Sequence, residues 1–192
     1  MTKREWCRWG GGIAVLLLVR PAMAQSGPPT PGFRAPVLSA SDTGRLQGPR
    51  QPIFFRHDIH AGQDRIPCMY CHYSAAVSSE PGIPPVQTCI GCHQIIGGST
   101  DSHRAEITKV RTAWRDKAPP EWIRIYAVPD FVHFPHMRHI KVLGTDAASC
   151  ANCHGDVARQ PRISQVSTLK MGWCIRCHVE RKVTRDCTAC HF

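Results

Sequence analysis

The stretch Phe55–His72, FRHDIHAGQDRIPCMYCH, decides how this chain is organised. Its first part places His57 and His60 three residues apart behind a phenylalanine, and its second part ends in Cys-x-x-Cys-His. The same two-part unit recurs as FPHMRH at 134–139, followed by CANCH at 150–154. A recurrence of this length predicts an internal duplication, in which two similar units stack against each other.

Five Cys-x-x-Cys-His motifs contain all the cysteines except Cys7. Two cysteines three apart on a helical turn reach the two vinyl groups of one porphyrin, and the adjacent histidine then lies beneath the iron. The motifs therefore predict five covalently bound haem c groups. The predicted thioether cysteines are Cys68, Cys71, Cys89, Cys92, Cys150, Cys153, Cys174, Cys177, Cys187 and Cys190. The predicted proximal iron ligands are His72, His93, His154, His178 and His191.

Zinc is the alternative use of such cysteines, because Cys-x-x-Cys pairs also build zinc ribbons. A zinc ribbon does not require a histidine directly after every second cysteine, whereas all five motifs have one. The motifs therefore favour haem. The remaining cysteine, Cys7, lies near the N-terminus, so no cysteine is left for a structural disulfide in the body of the chain.

Four further histidines, His57, His60, His136 and His139, form the two Phe-x-His-x-x-His units. Side chains three apart on a helical turn share a face but diverge in direction. Each pair is therefore predicted to supply distal ligands to two neighbouring haems, which would hold the two irons close together. The alternative is that they are ordinary surface histidines.

Four distal histidines leave one of five haems without a sixth ligand. The candidates are Met171, His103, His133 and an open iron position. Met171 directly precedes Gly172, Trp173 and the fourth motif, and a methionine ligand would raise the potential of its haem. Packing of the flexible thioether against a porphyrin or Trp173 is the alternative role. Met171 is the preferred ligand.

The composition predicts an unusual core. Only 42% of the 192 residues are hydrophobic and 7% aromatic, with 15 Gly and 16 Pro. Small chains with a weak core usually depend on metals or crosslinks. We therefore expect a mostly irregular fold with short α-helices and little β structure, in which the haems form the core. The charge of +10 is offset by haem propionates, and without a zinc-finger spacing or an aromatic-plus-basic motif, nucleic acid is not a predicted partner.

Residues 1–24 have the pattern of a secretory signal peptide. A basic start precedes a short apolar run, and Ala22-Met23-Ala24 forms a small-x-small cleavage signal. The run of about ten apolar residues is short for a bilayer span, although an uncleaved anchor is the alternative. The pattern predicts export to the periplasmic side of the membrane.

The rest of the chain divides into four predicted parts. Residues 25–52 form a Pro/Gly-rich extended arm, either a linker or a strap along a partner subunit. Residues 53–100 form a dihaem module and 133–192 a trihaem module. Between them, 101–132 combine a helix, capped by Asp101 or Ser102 and running to about Trp114, with a short strand or extended strap over 121–127.

The double-histidine unit resembles that of class III cytochromes c, the c3 and c7 families, where it supplies distal ligands to two different haems. A closer resemblance, over roughly 53–192, is to the pentahaem cytochrome subunit of alternative complex III. It is carried by CMYCHYSA (68–75), PGIP (81–84), WIRI (122–125), VPDFVHFPH (128–136) and MGWC (171–174).

This resemblance implies an electron-transfer subunit, not an enzyme on its own, within a membrane quinol:electron-acceptor oxidoreductase. Iron–sulfur/molybdopterin-like and integral-membrane subunits would be its partners. Another subunit would oxidise quinol, and a periplasmic cytochrome c or an oxidase would accept the electrons. A Met-Gly-Trp before the fourth motif is typical of the family, which favours Met171 over His133. Family members often keep an N-terminal membrane anchor, whereas this N-terminus has a cleavable pattern.

Three other functions compete with this one. The chain could be a free periplasmic electron shuttle, or the haem subunit of a quinone reductase that works in the opposite direction. A haem enzyme, such as a nitrite or hydroxylamine converter, would need an open iron site. Pentahaem nitrite reductases carry one Cys-x-x-Cys-Lys motif, which this sequence lacks.

Overall fold

A computed structural model describes residues 32–192; the predicted signal peptide, Cys7 and the start of the predicted arm lie outside the described residues. The chain forms short helices joined by irregular segments, and no strand occurs within 32–192. The prediction of a mostly irregular fold with short α-helices is confirmed. The α-helices are α1 Ala40–Arg45, α2 Cys68–Cys71, α3 Val86–His93, α4 Asp101–Arg115, α5 His136–Leu143, α6 Ala147–His154 and α7 Met171–Glu180. A π-helical turn covers Asp58–Gln63, and 3-10 turns cover Tyr73–Ala76, Val157–Arg159 and Cys187–Ala189.

Helix α4 occupies the predicted position but begins differently. Its N-cap is Thr100, whose side chain accepts a hydrogen bond from the His103 N–H at 3.2 Å. The predicted cap at Asp101 or Ser102 is therefore wrong by one or two residues. Asp101 instead forms an ion pair with Arg104, one turn further on, at 2.5 Å. The segment 121–127 adopts the strap alternative, because it forms no strand.

The described part of the chain buries little apolar surface. Ile53, Ile90 and Val110 form a small buried cluster beneath α3 and α4, with the partly buried Trp122 and Val86 against it. Among residues 32–192, the only other buried hydrophobic residue is Ala75. A core of this size contributes little to stability compared with that of an ordinary domain.

The described part of the N-terminal arm lies along its own chain. It contains α1, which the arm prediction did not include; Ser39 and Asp42 start this helix as a reciprocal capping box. Arg162 donates to the Thr43 and Leu46 carbonyl oxygens at 2.9 and 3.0 Å. These hydrogen bonds connect the arm to the segment that follows the third motif.

The two predicted modules contact each other closely. The 3-10 turn Val157–Arg159 packs on the π-helical turn of Asp58–Gln63, where a Cβ on Gly62 would collide with the Ala158 carbonyl oxygen. The N–H groups of His136 and Met137, at the start of α5, donate to the carbonyl oxygens of Ser79 and Ser78 at 3.3 and 3.1 Å. Within 32–192, no helix has the length and apolar character needed to cross a membrane.

Candidate haem-binding sites

Each of the five motifs lies on a helical turn, as covalent attachment of one porphyrin requires. We number them in chain order: site 1 at Cys68–His72 on α2, site 2 at Cys89–His93 on α3, site 3 at Cys150–His154 on α6, site 4 at Cys174–His178 on α7 and site 5 at Cys187–His191 on the last 3-10 turn. None of these ten cysteines forms a disulfide. At the first and last sites the histidine N–H bonds back to the carbonyl oxygen of the first cysteine at 2.9 Å.

Six of the predicted ligand histidines donate Nδ1–H to a backbone carbonyl oxygen. The pairs are His60 with Arg56 (2.9 Å), His93 with Ile96 (3.1 Å), His136 with Ala75 (3.2 Å), His139 with Pro135 (3.1 Å), His178 with Thr184 (2.5 Å) and His191 with Phe131 (2.9 Å). A carbonyl oxygen only accepts, so Nδ1 carries the proton and Nε2 keeps a free lone pair. Metal-bound histidines are oriented in this way, so these residues fit iron ligation through Nε2.

The two double-histidine units have nearly the same internal geometry. Phe55 stacks on His60 with ring centres 4.4 Å apart, and Phe134 stacks on His139 at 4.2 Å, both with a 28° interplanar angle. The first histidine of each unit meets the same phenylalanine edge-on, at 85° for His57 and 80° for His136. The duplication in sequence is therefore a duplication in three dimensions, and each phenylalanine fixes the orientation of two histidines.

Three distal-candidate histidines face a proximal histidine across a similar gap. The ring centres are 5.9 Å apart for His60 and His93, 6.4 Å for His136 and His154, and 6.1 Å for His139 and His178. A metal–imidazole bond is about 2 Å long and the ring centre lies about 1 Å beyond the nitrogen, so two histidines on one iron have ring centres about 6 Å apart. The gaps thus fit an iron held from both sides.

His57 is partly buried and lies beside His72. Its pKa falls to about 3, mainly because burial disfavours the charged ring and also because His72 and His60 are close. Its Nδ1 is buried without a hydrogen-bond partner. Burial also lowers the pKa of His72 and of His154, and His136 adds to both effects. These rings are held neutral, the form in which imidazole binds a metal.

A buried ion pair distinguishes the first double-histidine unit from the second. Arg56 and Asp58, which flank His57, are joined by two hydrogen bonds of 2.6 and 2.5 Å, and their exposures are 4% and 0%. The same guanidinium donates to the Pro36 carbonyl oxygen of the N-terminal arm at 2.9 Å. In the second unit the equivalent positions are Pro135 and Met137.

The cysteines of sites 1 and 3 lie close together. Each is the main influence on the other's pKa, which is lowered for Cys68 and raised for Cys150. Burial raises the pKa of Cys71 and of Cys153, with smaller contributions from the cysteines of sites 2 and 4 respectively. Neighbouring motifs are therefore close in space.

The three candidates for the fifth distal ligand have different surroundings. Met171 is the first residue of α7 and is 65% exposed. His133 stacks on Phe192 at 4.2 Å, and its backbone N–H donates to the Cys190 carbonyl oxygen at 2.8 Å. His103 lies in the first turn of α4, with Nδ1 3.1 Å from the Ser99 hydroxyl. Neither His103 nor His133 has a ring pairing like the three described above among residues 32–192.

Within the described residues, no three His, Cys, Asp or Glu side chains converge on a point where a metal ion would sit. A zinc ribbon requires four such ligands around one ion. The side chains of each motif are instead spread along a helical turn, and the histidines of sites 2, 3 and 4 are opposed by a histidine from another segment.

Sequence reasoning missed several residues that hold the histidines in place. Phe55 and Phe134 orient the double-histidine units, and their recurrence at the same spacing was the available signal. Tyr126 packs edge-on against His154 with ring centres 4.5 Å apart. Arg111 on α4 donates to the His93 carbonyl oxygen at 2.7 Å and so ties α4 to site 2. The alternation over 121–127 favours a packing role for Tyr126 but does not identify its partner, and no local pattern pointed to Arg111, because both contacts are long-range.

Comparison with known proteins supports the haem interpretation. The chain is 27% identical, over 161 residues, to the menaquinone reductase multihaem cytochrome c subunit of Nitratidesulfovibrio vulgaris, with 73% of this chain and 74% of that protein covered. The similarity supports a multihaem c-type cytochrome. No family model matches the chain.

Proposed function

We propose that this chain is a pentahaem c-type cytochrome that relays electrons as a subunit of a membrane-bound quinol-oxidising complex. The observation that carries the proposal is the set of three histidine pairs with ring centres 5.9 to 6.4 Å apart, which is the spacing expected for two histidines on one iron. Each pair joins a double-histidine unit to a Cys-x-x-Cys-His motif. Electron relay requires saturated, stably held irons, and the three pairs support two protein ligands for the irons of sites 2, 3 and 4.

The chain's own residues define how the cofactors would be held. The ten motif cysteines form the thioethers, and His72, His93, His154, His178 and His191 are the proximal ligands. His57, His60, His136 and His139 are distal ligands to four of the irons, and Met171 to the fifth. Haem c, once bound, supplies one-electron chemistry at iron. The dihaem module at 53–100 and the trihaem module at 133–192 each contribute one double-histidine unit.

Met171 is the preferred fifth ligand for two reasons. Its exposed thioether stands one helical turn before Cys174, and Cys174 lies close enough to Cys190 of site 5 to raise its pKa, although burial is the larger cause. His133 is already stacked on Phe192, and His103 is bonded to Ser99 at the far end of the connecting helix.

The quinol-oxidising complex is inferred from the sequence motifs shared with the alternative complex III subunit. In that setting the partners are iron–sulfur/molybdopterin-like and integral-membrane subunits on the periplasmic side, with a cytochrome c or an oxidase as acceptor. The predicted signal peptide supports export, since covalent haem attachment takes place on the exported side in bacteria. An iron held by two protein ligands would offer no place for a substrate.

A second candidate function is the haem subunit of a complex that reduces quinone. The observation in its favour is the similarity to a subunit that belongs to a menaquinone reductase. Both candidates share the cofactors, ligands and relay role, and they differ only in the direction of electron flow. That direction depends on haem potentials, which burial and hydrogen bonds to the ligands control.

Purification of the tagged, haem-loaded chain from its native membranes in mild detergent tests the proposal. We expect it to co-purify with integral-membrane and iron–sulfur subunits, and its haems to become reduced when a quinol analogue is added. Rapid oxidation of pre-reduced haems by a quinone analogue, without reduction by quinol, would favour the second candidate. Recovery of the chain alone, with haems that respond to neither compound, would overturn both.

A further inference from the structure

In the predicted dihaem module, sites 1 and 2 are linked through one double-histidine unit. His60 faces His93 of site 2 at 5.9 Å, whereas His57 lies beside His72 of site 1. The two histidines are three residues apart on one short helical turn. Sites 1 and 2 are therefore direct neighbours.

The second unit links sites 3 and 4 in the same way. His136 faces His154 of site 3 at 6.4 Å, and His139 faces His178 of site 4 at 6.1 Å. Site 5 is bonded to the segment before the second unit, where the Cys190 carbonyl oxygen accepts from the His133 N–H at 2.8 Å, and Cys190 also lies near Cys174 of site 4. Each unit therefore serves the first two motifs that follow it in the chain.

The junction between the two units joins site 1 to site 3. Cys68 of site 1 and Cys150 of site 3 lie close enough to influence each other's pKa. The segment directly after site 1 also binds the second double-histidine unit: the Ala75 carbonyl oxygen accepts from His136 Nδ1 at 3.2 Å, and the Ser78 carbonyl oxygen accepts from the Met137 N–H at 3.1 Å. In sequence, by contrast, site 3 follows site 2.

We propose that the five sites form a single row in the order 2–1–3–4–5, with the two modules joined head to head where the segment after site 1 binds the second double-histidine unit. The order rests on the proposed function, because it concerns haems attached at those motifs. Site 1 becomes the internal link between the modules, and site 2 becomes one end of the row. A row in chain order would make site 1 the end and would let site 2 contact site 3.

Removal of the haem at site 1 distinguishes the order 2–1–3–4–5 from a row in chain order. Ile95 is 90% exposed just after site 2, so an Ile95→Cys variant of the haem-loaded protein provides a position for a ruthenium photosensitiser that delivers electrons to site 2. Each transfer is a one-electron step in which one haem iron is oxidised and its ferric neighbour is reduced. In the parent protein with a sacrificial donor, we expect all five haems to become reduced.

With Cys68→Ala and Cys71→Ala added, the order 2–1–3–4–5 predicts rapid reduction of one haem of the remaining four. Rapid reduction of all four would overturn this order. The matched control removes site 5 with Cys187→Ala and Cys190→Ala, and here all four remaining haems should be reduced rapidly. Haem content is measured first: fewer than five haems in the parent protein would contradict the proposed function, whereas five haems with full reduction in the site 1 variant would contradict the order alone.

A measurement on the unmodified holoprotein covers the case in which haem-depleted variants do not fold. Anomalous diffraction at the iron absorption edge locates each iron directly. The proposal predicts that the iron at site 1 has the irons of sites 2 and 3 as its nearest neighbours. An iron at site 1 with a single neighbour, and an iron at site 2 next to that of site 3, would overturn it.

Discussion

The His60 and His93 rings lie with their centres 5.9 Å apart. His60 belongs to the first double-histidine unit, whereas His93 belongs to the second Cys-x-x-Cys-His motif, 33 residues further along the chain. His60 thus faces the second attachment site and not the motif that follows it most closely. We predict that His60→Met changes only the haem attached at Cys89 and Cys92. Its potential should rise, by a fraction of the roughly 0.8 V range that axial ligands cover, because methionine replaces histidine.

Potentiometric titration with visible and EPR spectra measures this effect. The control is the same substitution in a protein that lacks site 2 through Cys89→Ala and Cys92→Ala, where it should leave the spectra of the other haems unchanged. A spectral change that persists in the site 2-depleted protein would show that His60 serves another iron.

The stacked phenylalanines should stabilise the histidines that they contact. Phe134→Ala removes a ring 4.2 Å from His139 and should lower the free energy of unfolding by about 1–2 kcal/mol, as expected for an aromatic contact on a half-exposed side chain. The EPR signal of the haem bound at site 4 should broaden, because the His139 ring becomes free to rotate. Phe134→Tyr, which keeps the stacked ring, is the matched control and should preserve the signal. An unchanged spectrum in the alanine variant would remove Phe134 from this role.

Removal of one partner of the buried Arg56–Asp58 pair should lower the free energy of unfolding more than removal of both partners. Asp58→Asn leaves a buried guanidinium without its charge partner, and we expect a loss of about 3–5 kcal/mol in the free energy of unfolding. The double variant Arg56→Met with Asp58→Leu, in which neither charge remains, should recover much of that loss. Denaturant unfolding of the holoproteins measures both, and Asp101→Asn at the exposed Arg104 pair serves as the control with little effect. Equal losses in the single and double variants would argue against a desolvated ion pair.

Stability should fall in acid partly through His57. The pKa of this ring is lowered to about 3 in the folded protein, below its ordinary value of 6.5. Between these two pH values the unfolded chain binds the proton that the folded chain excludes, so the free energy of unfolding decreases as the pH falls from 6.5 towards 3. The contribution of His57 is fully present above pH 6.5.

The slope of unfolding free energy against pH should differ between the unmodified protein and a His57→Met variant. His57→Met keeps a group able to bind iron but removes the titration, and it should flatten the slope between pH 4 and 6 by up to about 1.4 kcal/mol per pH unit. Denaturant unfolding at a series of pH values gives this slope. Identical slopes in the two proteins would mean that His57 is not held neutral by the fold.

Met171 can be tested against its rivals by substitution. Met171→Ala should convert one haem of the oxidised protein from low-spin to high-spin, because its sixth ligand is lost, and Met171→His should restore low spin at a lower potential. His103→Ala and His133→Ala are the controls and should leave the spin state unchanged. A high-spin component in either control, with none in Met171→Ala, would reassign the ligand.

Local features of the fold were predictable from the sequence. Short-range rules place the motifs on helical turns, and apolar periodicity locates α4 between residues 101 and 115. The cap of α4 was misplaced because Thr100, Asp101 and Ser102 are all good cap residues, and only the bond from the His103 N–H to the Thr100 side chain identifies the cap. The helix α1 was missed in a Pro/Gly-rich arm because its capping box lies outside any apolar pattern.

Long-range relationships were not predictable in this way. The repeat of His57–His60 as His136–His139 indicates two equivalent units, but spacing does not say which motif each histidine faces. The pairing of His60 with His93, and the contact of Cys68 with Cys150, depend on how distant segments pack. The Arg56 contact with Pro36 is of the same kind, since it joins the unit to the arm.

Spin quantification by low-temperature EPR, on fully oxidised holoprotein with a measured iron content, tests the central claim most directly. A pentahaem relay with every iron held from both sides predicts five low-spin ferric haems per chain and no high-spin signal. Fewer than five haem irons per chain, or a stoichiometric high-spin haem in the unmodified protein, would contradict it.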